Sequence, residues 1–126
     1  MNNAKRWQQL TERERSALTD FVSRLRQRFN SDAIQSVWVF GSKIKGTADE
    51  QSDIDLLIVV HNYTWELEKA ITRLAVDVDL AHDVVLSDHI VDRKHFDQMV
   101  VQDVPFYRNV LKEGVDLWQM DLQPVI

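Results

Sequence analysis

The chain has no cysteine among its 126 residues, which excludes disulfides, thiol nucleophiles and zinc–thiolate sites together. It has no surplus of positive charge either: 15 lysines and arginines against 20 aspartates and glutamates leave a formal net charge of -5. A protein that grips long nucleic acid carries a basic face, so stable nucleic-acid binding is not expected. No apolar run approaches the roughly 20 residues of a membrane span, and the opening MNNAKRWQQLTERERS lacks the apolar centre of a signal peptide. A cytoplasmic protein without a membrane association is the expectation. Internal repeats and low-complexity segments are missing. So are G-x-x-x-x-G-K-[ST] and G-x-G-x-x-G, which leaves P-loop and Rossmann readings without support. The four histidines, His61, His82, His89 and His95, show no metal-binding spacing and read as surface or packing residues.

Hydrophobic content of 44 % and charged content of 28 % are ordinary for a globular protein, and the length supports one domain over 1–126. Within it, 1–10 reads as an N-terminal extension and 119–126 as a tail, either frayed or docking on a partner. Thr11-Glu12-Arg13-Glu14 predicts a capping box, and Leu18, Phe21, Val22, Leu25 and Phe29 continue one apolar stripe at helical spacing. Residues 36–40 and 53–60 read as strands. Leu67, Ile71, Leu74 and Val78 mark a helix from about Trp65, although 76–80 also alternates like a strand. A third strand is expected at 84–86, entered through His82-Asp83. Helices are expected at 92–99 and 105–113, the second opened by Pro105 and closed by Gly114. Trp7, Trp38, Trp65 and Trp118 read as core or interface rather than as a stacking platform.

One constellation carries chemistry: Gly41-Ser42, ten residues, then Asp53-Ile54-Asp55, set between the apolar stretches 37–40 and 56–60. Two carboxylates separated by one strand residue point to the same face, their Cα atoms roughly 6.5 Å apart, so both can reach one cation cluster. Magnesium prefers such oxygen ligands together with substrate phosphates. Gly41 permits close backbone approach, and Ser42 at the start of a turn or short helix offers a hydroxyl for a phosphate. Lys43 and Lys45 could neutralise phosphate charge or simply be solvated.

The stretch FGSKIKGTADEQSDIDLLIVV resembles the nucleotidyltransferase superfamily with the polymerase-β-like palm, and most closely its minimal members in bacteria and archaea. HDVVLSD and FYRNVLKEGVDLW extend the likeness over most of 21–118. The resemblance implies an α/β (α+β) fold with a short mixed sheet, flanking helices largely on one face, and carboxylates opening onto a cleft. It also implies a third carboxylate at the head of the next strand, for which His82-Asp83-Val84-Val85 makes Asp83 the candidate, with Asp77 and Asp79 as rivals. Asp53, Asp55 and Asp83 would then hold two Mg2+ ions, and Gly41, Ser42 and Lys43 would cradle the phosphates of ATP. The reaction implied is in-line attack of an acceptor hydroxyl on the α-phosphorus, with pyrophosphate leaving.

Other members carry a further domain for their acceptor, and this chain has little beyond the palm. Minimal nucleotidyltransferases are typically paired with a small helical HEPN ribonuclease toxin and act as its antitoxin by attaching AMP to a tyrosine. The chain lacks the R-x4-6-H signature of the HEPN half. The expectation is therefore a protein adenylyltransferase antitoxin in a hetero-oligomer with a HEPN toxin. The alternatives are an antitoxin that only masks the toxin, or a transferase acting on a small molecule such as an aminoglycoside.

Overall fold

The computed structural model describes residues 3–47, 52–120 and 122; the tail expected at 119–126 lies mostly outside them. The elements are α1 (Asn3–Gln8), α2 (Glu12–Arg28), β1 (Ile34–Phe40), α3 (Ser42–Lys45), β2 (Ile54–Val60), α4 (Trp65–His82), β3 (Leu86–Asp92), α5 (Arg93–Val101), α6 (Pro105–Glu113) and β4 (Val115–Asp116). The four strands form a mixed sheet in the order β3-β2-β1-β4. β1 runs antiparallel to β2 and to β4, while α4 carries the chain over to place β3 parallel to β2.

Helix α2 starts as its sequence predicts: the Glu14 N–H donates to Thr11 Oγ1 (3.1 Å), and Glu14 Oε1 accepts from the Thr11 N–H (2.8 Å). Its stripe of Leu18, Phe21, Val22 and Leu25 is buried against the sheet face formed by Val37, Val39, Leu56 and Ile58, and α4 adds Ile71, Ala75 and Val78. The opposite face is covered too. Leu57 and Val59 pack there against Phe96 of α5 and Val110 of α6. Helices therefore lie on both faces rather than largely on one, which explains why residues 56–60 of β2 are all buried and apolar instead of alternating.

The ambiguous stretch 76–80 is helix. Ile71, Ala75 and Val78 keep one buried stripe running, and α4 ends at Asp83, which sits in the left-handed region (φ 55°, ψ 52°). The third strand consequently begins at Leu86, not at Val84, and continues to Asp92. β3 is an edge strand, and its central Asp88 and His89 hide it from an apolar-run criterion. The N-terminal extension is packed: Trp7 of α1 and the following Leu10 join the main core. At the other end, Arg26 lies 4.0 Å over the Trp118 ring and donates to the Trp118 carbonyl (2.6 Å). Among the described residues no helix is long and apolar enough to cross a membrane.

Candidate active site

β1 delivers the chain to Gly41, whose φ of 85° and ψ of -159° belong to a region open essentially to glycine alone. Ser42 then opens α3, and Gly46 (φ 75°) closes it. Phe40 pairs across the hairpin with Asp55, which brings that carboxylate directly against the bend. A Cβ on Gly41 would lie 2.5 Å from Asp55 Oδ2. Glycine is thus required twice, by the backbone and by the space the carboxylate fills.

Asp53 immediately precedes β2, and strand alternation turns Asp53 and Asp55 to one side. Asp53 is exposed and Asp55 half-buried. Burial pushes the Asp55 carboxyl above its ordinary value; His89 opposes this and the Asp53 charge reinforces it. Among the described residues neither aspartate makes a salt bridge with a lysine or arginine. Two mutually repelling carboxylates held at a glycine bend are a donor set that fits a hard divalent cation, because the ion would offset both the desolvation and the repulsion.

Lys43 is not a solvated surface residue, and its ammonium is engaged by a carboxylate of the preceding helix. It is 6 % exposed, and its Nζ lies 2.5 Å from Glu14 Oε2, within the same carboxylate that closes the α2 capping box. Burial raises the Glu14 pKa, but the bonds from Lys43 and from Thr11 outweigh it and leave the group below the usual carboxylate range. Lys43 is a strut between α3 and α2. Lys45, by contrast, is exposed and pairs with Glu113 of α6 at 3.0 Å.

Asp83 is also placed differently from the expectation. It is the cap residue after α4, its side chain is 96 % exposed, and Arg13 holds it at 3.3 Å. No strand starts there: β3 begins three residues later, at Leu86. Asp83 lines a cavity of about 320 Å³ with Thr11, Arg13, Ser52 and Val85. The register of β3 on β2 sets Ser87 opposite Asp55, with His89 the next residue on that face. These two residues, rather than a carboxylate, occupy that face of the neighbouring strand; the sequence signalled neither, because the strand begins two residues later than its apolar pattern suggests and runs on to Asp92.

The rivals of Asp83 are no closer to the pair in role. Asp77 lies exposed within α4, and Asp79 accepts the Leu86 N–H at 2.9 Å, fixing the head of β3. Burial raises the Asp79 pKa; the Leu86 bond opposes this, and Asp88 and Asp53 add to it. Asp88 accepts from Thr72 Oγ1 at 2.7 Å on the α4 side of the sheet. Among the described residues no three histidine or acidic side chains gather as a metal-binding group.

A sheet of this order with a glycine-serine bend facing an Asp-x-Asp strand defines a nucleotidyltransferase palm. The nucleotidyltransferase domain family model matches residues 18–116, and the chain belongs to that family. Among curated relatives, "Putative protein adenylyltransferase MJ0604" of Methanocaldococcus jannaschii is 29 % identical over 102 residues, covering 80 % of this chain and 94 % of the relative. A second protein of that name from the same organism, MJ0141, is 31 % identical over 77 residues, covering 60 % and 77 %. Among solved structures, a chain of a toxin–antitoxin assembly with AMP-PNP superimposes with a TM-score of 0.54 at 21 % identity, covering 88 % of this chain and 76 % of that one. A chain from a variant MntA–HpeT toxin–antitoxin assembly gives 0.51 at 22 % identity, covering 79 % and 71 %. These structures share the fold.

Proposed function

We propose that this nucleotidyltransferase transfers AMP from ATP to a hydroxyl, a tyrosine in the leading case, of a HEPN-type toxin protein and thereby acts as its antitoxin. The observation that carries the reading is the packing of Asp55 against Gly41 at the head of α3, with Asp53 beside it. Gly41 and Ser42 present backbone and hydroxyl to the triphosphate, and Asp53 and Asp55 hold Mg2+. When bound, the metal supplies charge neutralisation at the phosphates and the departing pyrophosphate. The protein's own part is orientation: the glycine bend fixes where the phosphates sit relative to the two carboxylates, and such positioning supplies much of the acceleration in phosphoryl chemistry. The adenylyltransferase names of the archaeal relatives and the toxin–antitoxin setting of the structural neighbour favour a protein acceptor.

Co-expression with the toxin, followed by intact-mass measurement of the toxin, tests this. The expected result is a mass increment of one or more AMP units that disappears with Asp53→Ala or Asp55→Ala. An increment that persists in both variants contradicts the assignment.

A second reading, an antitoxin that neutralises by covering the toxin, is favoured by one feature: the described residues place no third carboxylate with the pair. The same two variants separate the readings. Full neutralisation by Asp55→Ala would make masking sufficient.

A further inference from the structure

We propose that Phe106, braced by Phe40, is the platform on which the base of the bound nucleotide stacks; this rests on the nucleotide reading of the site. Phe40 is the residue before the Gly41-Ser42 bend and the cross-strand partner of Asp55, so its ring lies on the carboxylate face of the sheet. Phe106, in the first turn of α6, meets it edge-to-face at 5.4 Å and 89°. Behind Phe106 stands Tyr107 at 5.1 Å, and behind that Phe96 at 5.8 Å, both belonging to the smaller core cluster. Phe106 is the front of this row and remains 43 % exposed.

A large ring fixed by packing yet open on one side contributes stacking area without a large ordering cost. It meets Phe40, the residue next to the bend that would hold the phosphates, on the side of the sheet that carries Asp55, so it is placed to receive a nucleoside attached to those phosphates. The other exposed aromatics do not share this position. Tyr63 and Trp65 follow the far end of β2, tied to Glu68 and Lys69 respectively. Stacking accepts any base face, so Phe106 distinguishes a nucleotide from a bare polyphosphate rather than one purine from another.

Calorimetric titration of wild type, Phe106→Ala, Phe106→Leu and Phe106→Trp with Mg-ATP and with Mg-tripolyphosphate tests the assignment. Wild type should bind ATP more tightly than tripolyphosphate by about 5- to 150-fold, the worth of one stacked base. Phe106→Ala and Phe106→Leu should lose that advantage while keeping wild-type affinity for tripolyphosphate, which shows that the fold and phosphate site are intact. Phe106→Trp should keep it, and its added indole fluorescence should change with ATP but not with tripolyphosphate. Unchanged ATP affinity in Phe106→Ala overturns the proposal, including the case in which that variant instead loses the toxin. If wild type binds both ligands equally, the platform falls and the phosphate site stands. If it binds neither, the nucleotide reading falls as well.

Discussion

Replacing Gly41 by alanine should damage activity far more than stability, and Gly46 supplies the control. At φ 85° and ψ -159° an alanine costs on the order of 1–3 kcal/mol in backbone strain. The new Cβ would also stand 2.5 Å from Asp55 Oδ2, so the carboxylate must retreat by about 1 Å to reach the 3.4 Å of ordinary contact. A displacement of about 1 Å in a positioned reacting group can cost about 100-fold in rate. Gly46→Ala meets a comparable backbone penalty, about 1–2 kcal/mol for a left-handed residue, but its Cβ encounters only the side-chain amide of Gln9, which can swing away. Urea denaturation should therefore show similar losses for both variants. Nucleotidyl transfer per folded molecule should fall about 100-fold for Gly41→Ala and stay near wild type for Gly46→Ala. Equal turnover in the two variants would refute the claim that Gly41 exists to admit Asp55.

Glu14→Gln should destabilise the protein, because it takes the Glu14 charge away from the buried Lys43 ammonium, whereas the double variant Glu14→Leu with Lys43→Met should recover much of that loss in urea titrations. Asp83→Gly should retain transfer within about two-fold and leave Tm unchanged or raised, since glycine is at ease in the left-handed cap and only an exposed ion pair disappears; a large loss of transfer would restore Asp83 to the catalytic group. Asp55→Asn should abolish transfer and raise Tm at neutral pH. The native Asp55 carboxyl titrates above 3.8, so wild-type stability falls as pH climbs from 3.8 through the raised native value; the gain of the Asn variant should be absent below 3.8 and complete above that value. A lower Tm than wild type at pH 7 would contradict this.

The parts of the fold that sequence made legible are those where local chemistry and tertiary packing agree. Thr11 and Glu14 name the start of α2 because a capping box is local, and Ser42 opens α3 because Gly41 frees the backbone before it. Asp53 and Asp55 share a face because strand alternation is local too. Long-range packing decided the rest. Lys43 looked like a phosphate cation until the fold placed Glu14, 29 residues earlier, against it. Asp83 looked like a strand residue because His82-Asp83-Val84-Val85 matched a family pattern, whereas the α4 stripe through Val78 keeps the chain helical to His82. β3 was foreshortened because an edge strand needs only one buried side, and Ser87 and His89 carry no apolar signal. The row from Phe106 to Phe96 depends on α5 and α6 meeting over the second sheet face, which periodicity within either helix does not announce.

The most direct measurement is transfer of label to the toxin from ATP carrying radioactive phosphorus at the α or at the γ position, with magnesium and wild-type or Asp55→Asn protein. Wild type should transfer the α label and not the γ label, and Asp55→Asn should transfer neither. Transfer of the γ label, or neutralisation of the toxin with no label at all, would contradict nucleotidyl transfer at the Gly41–Asp55 site.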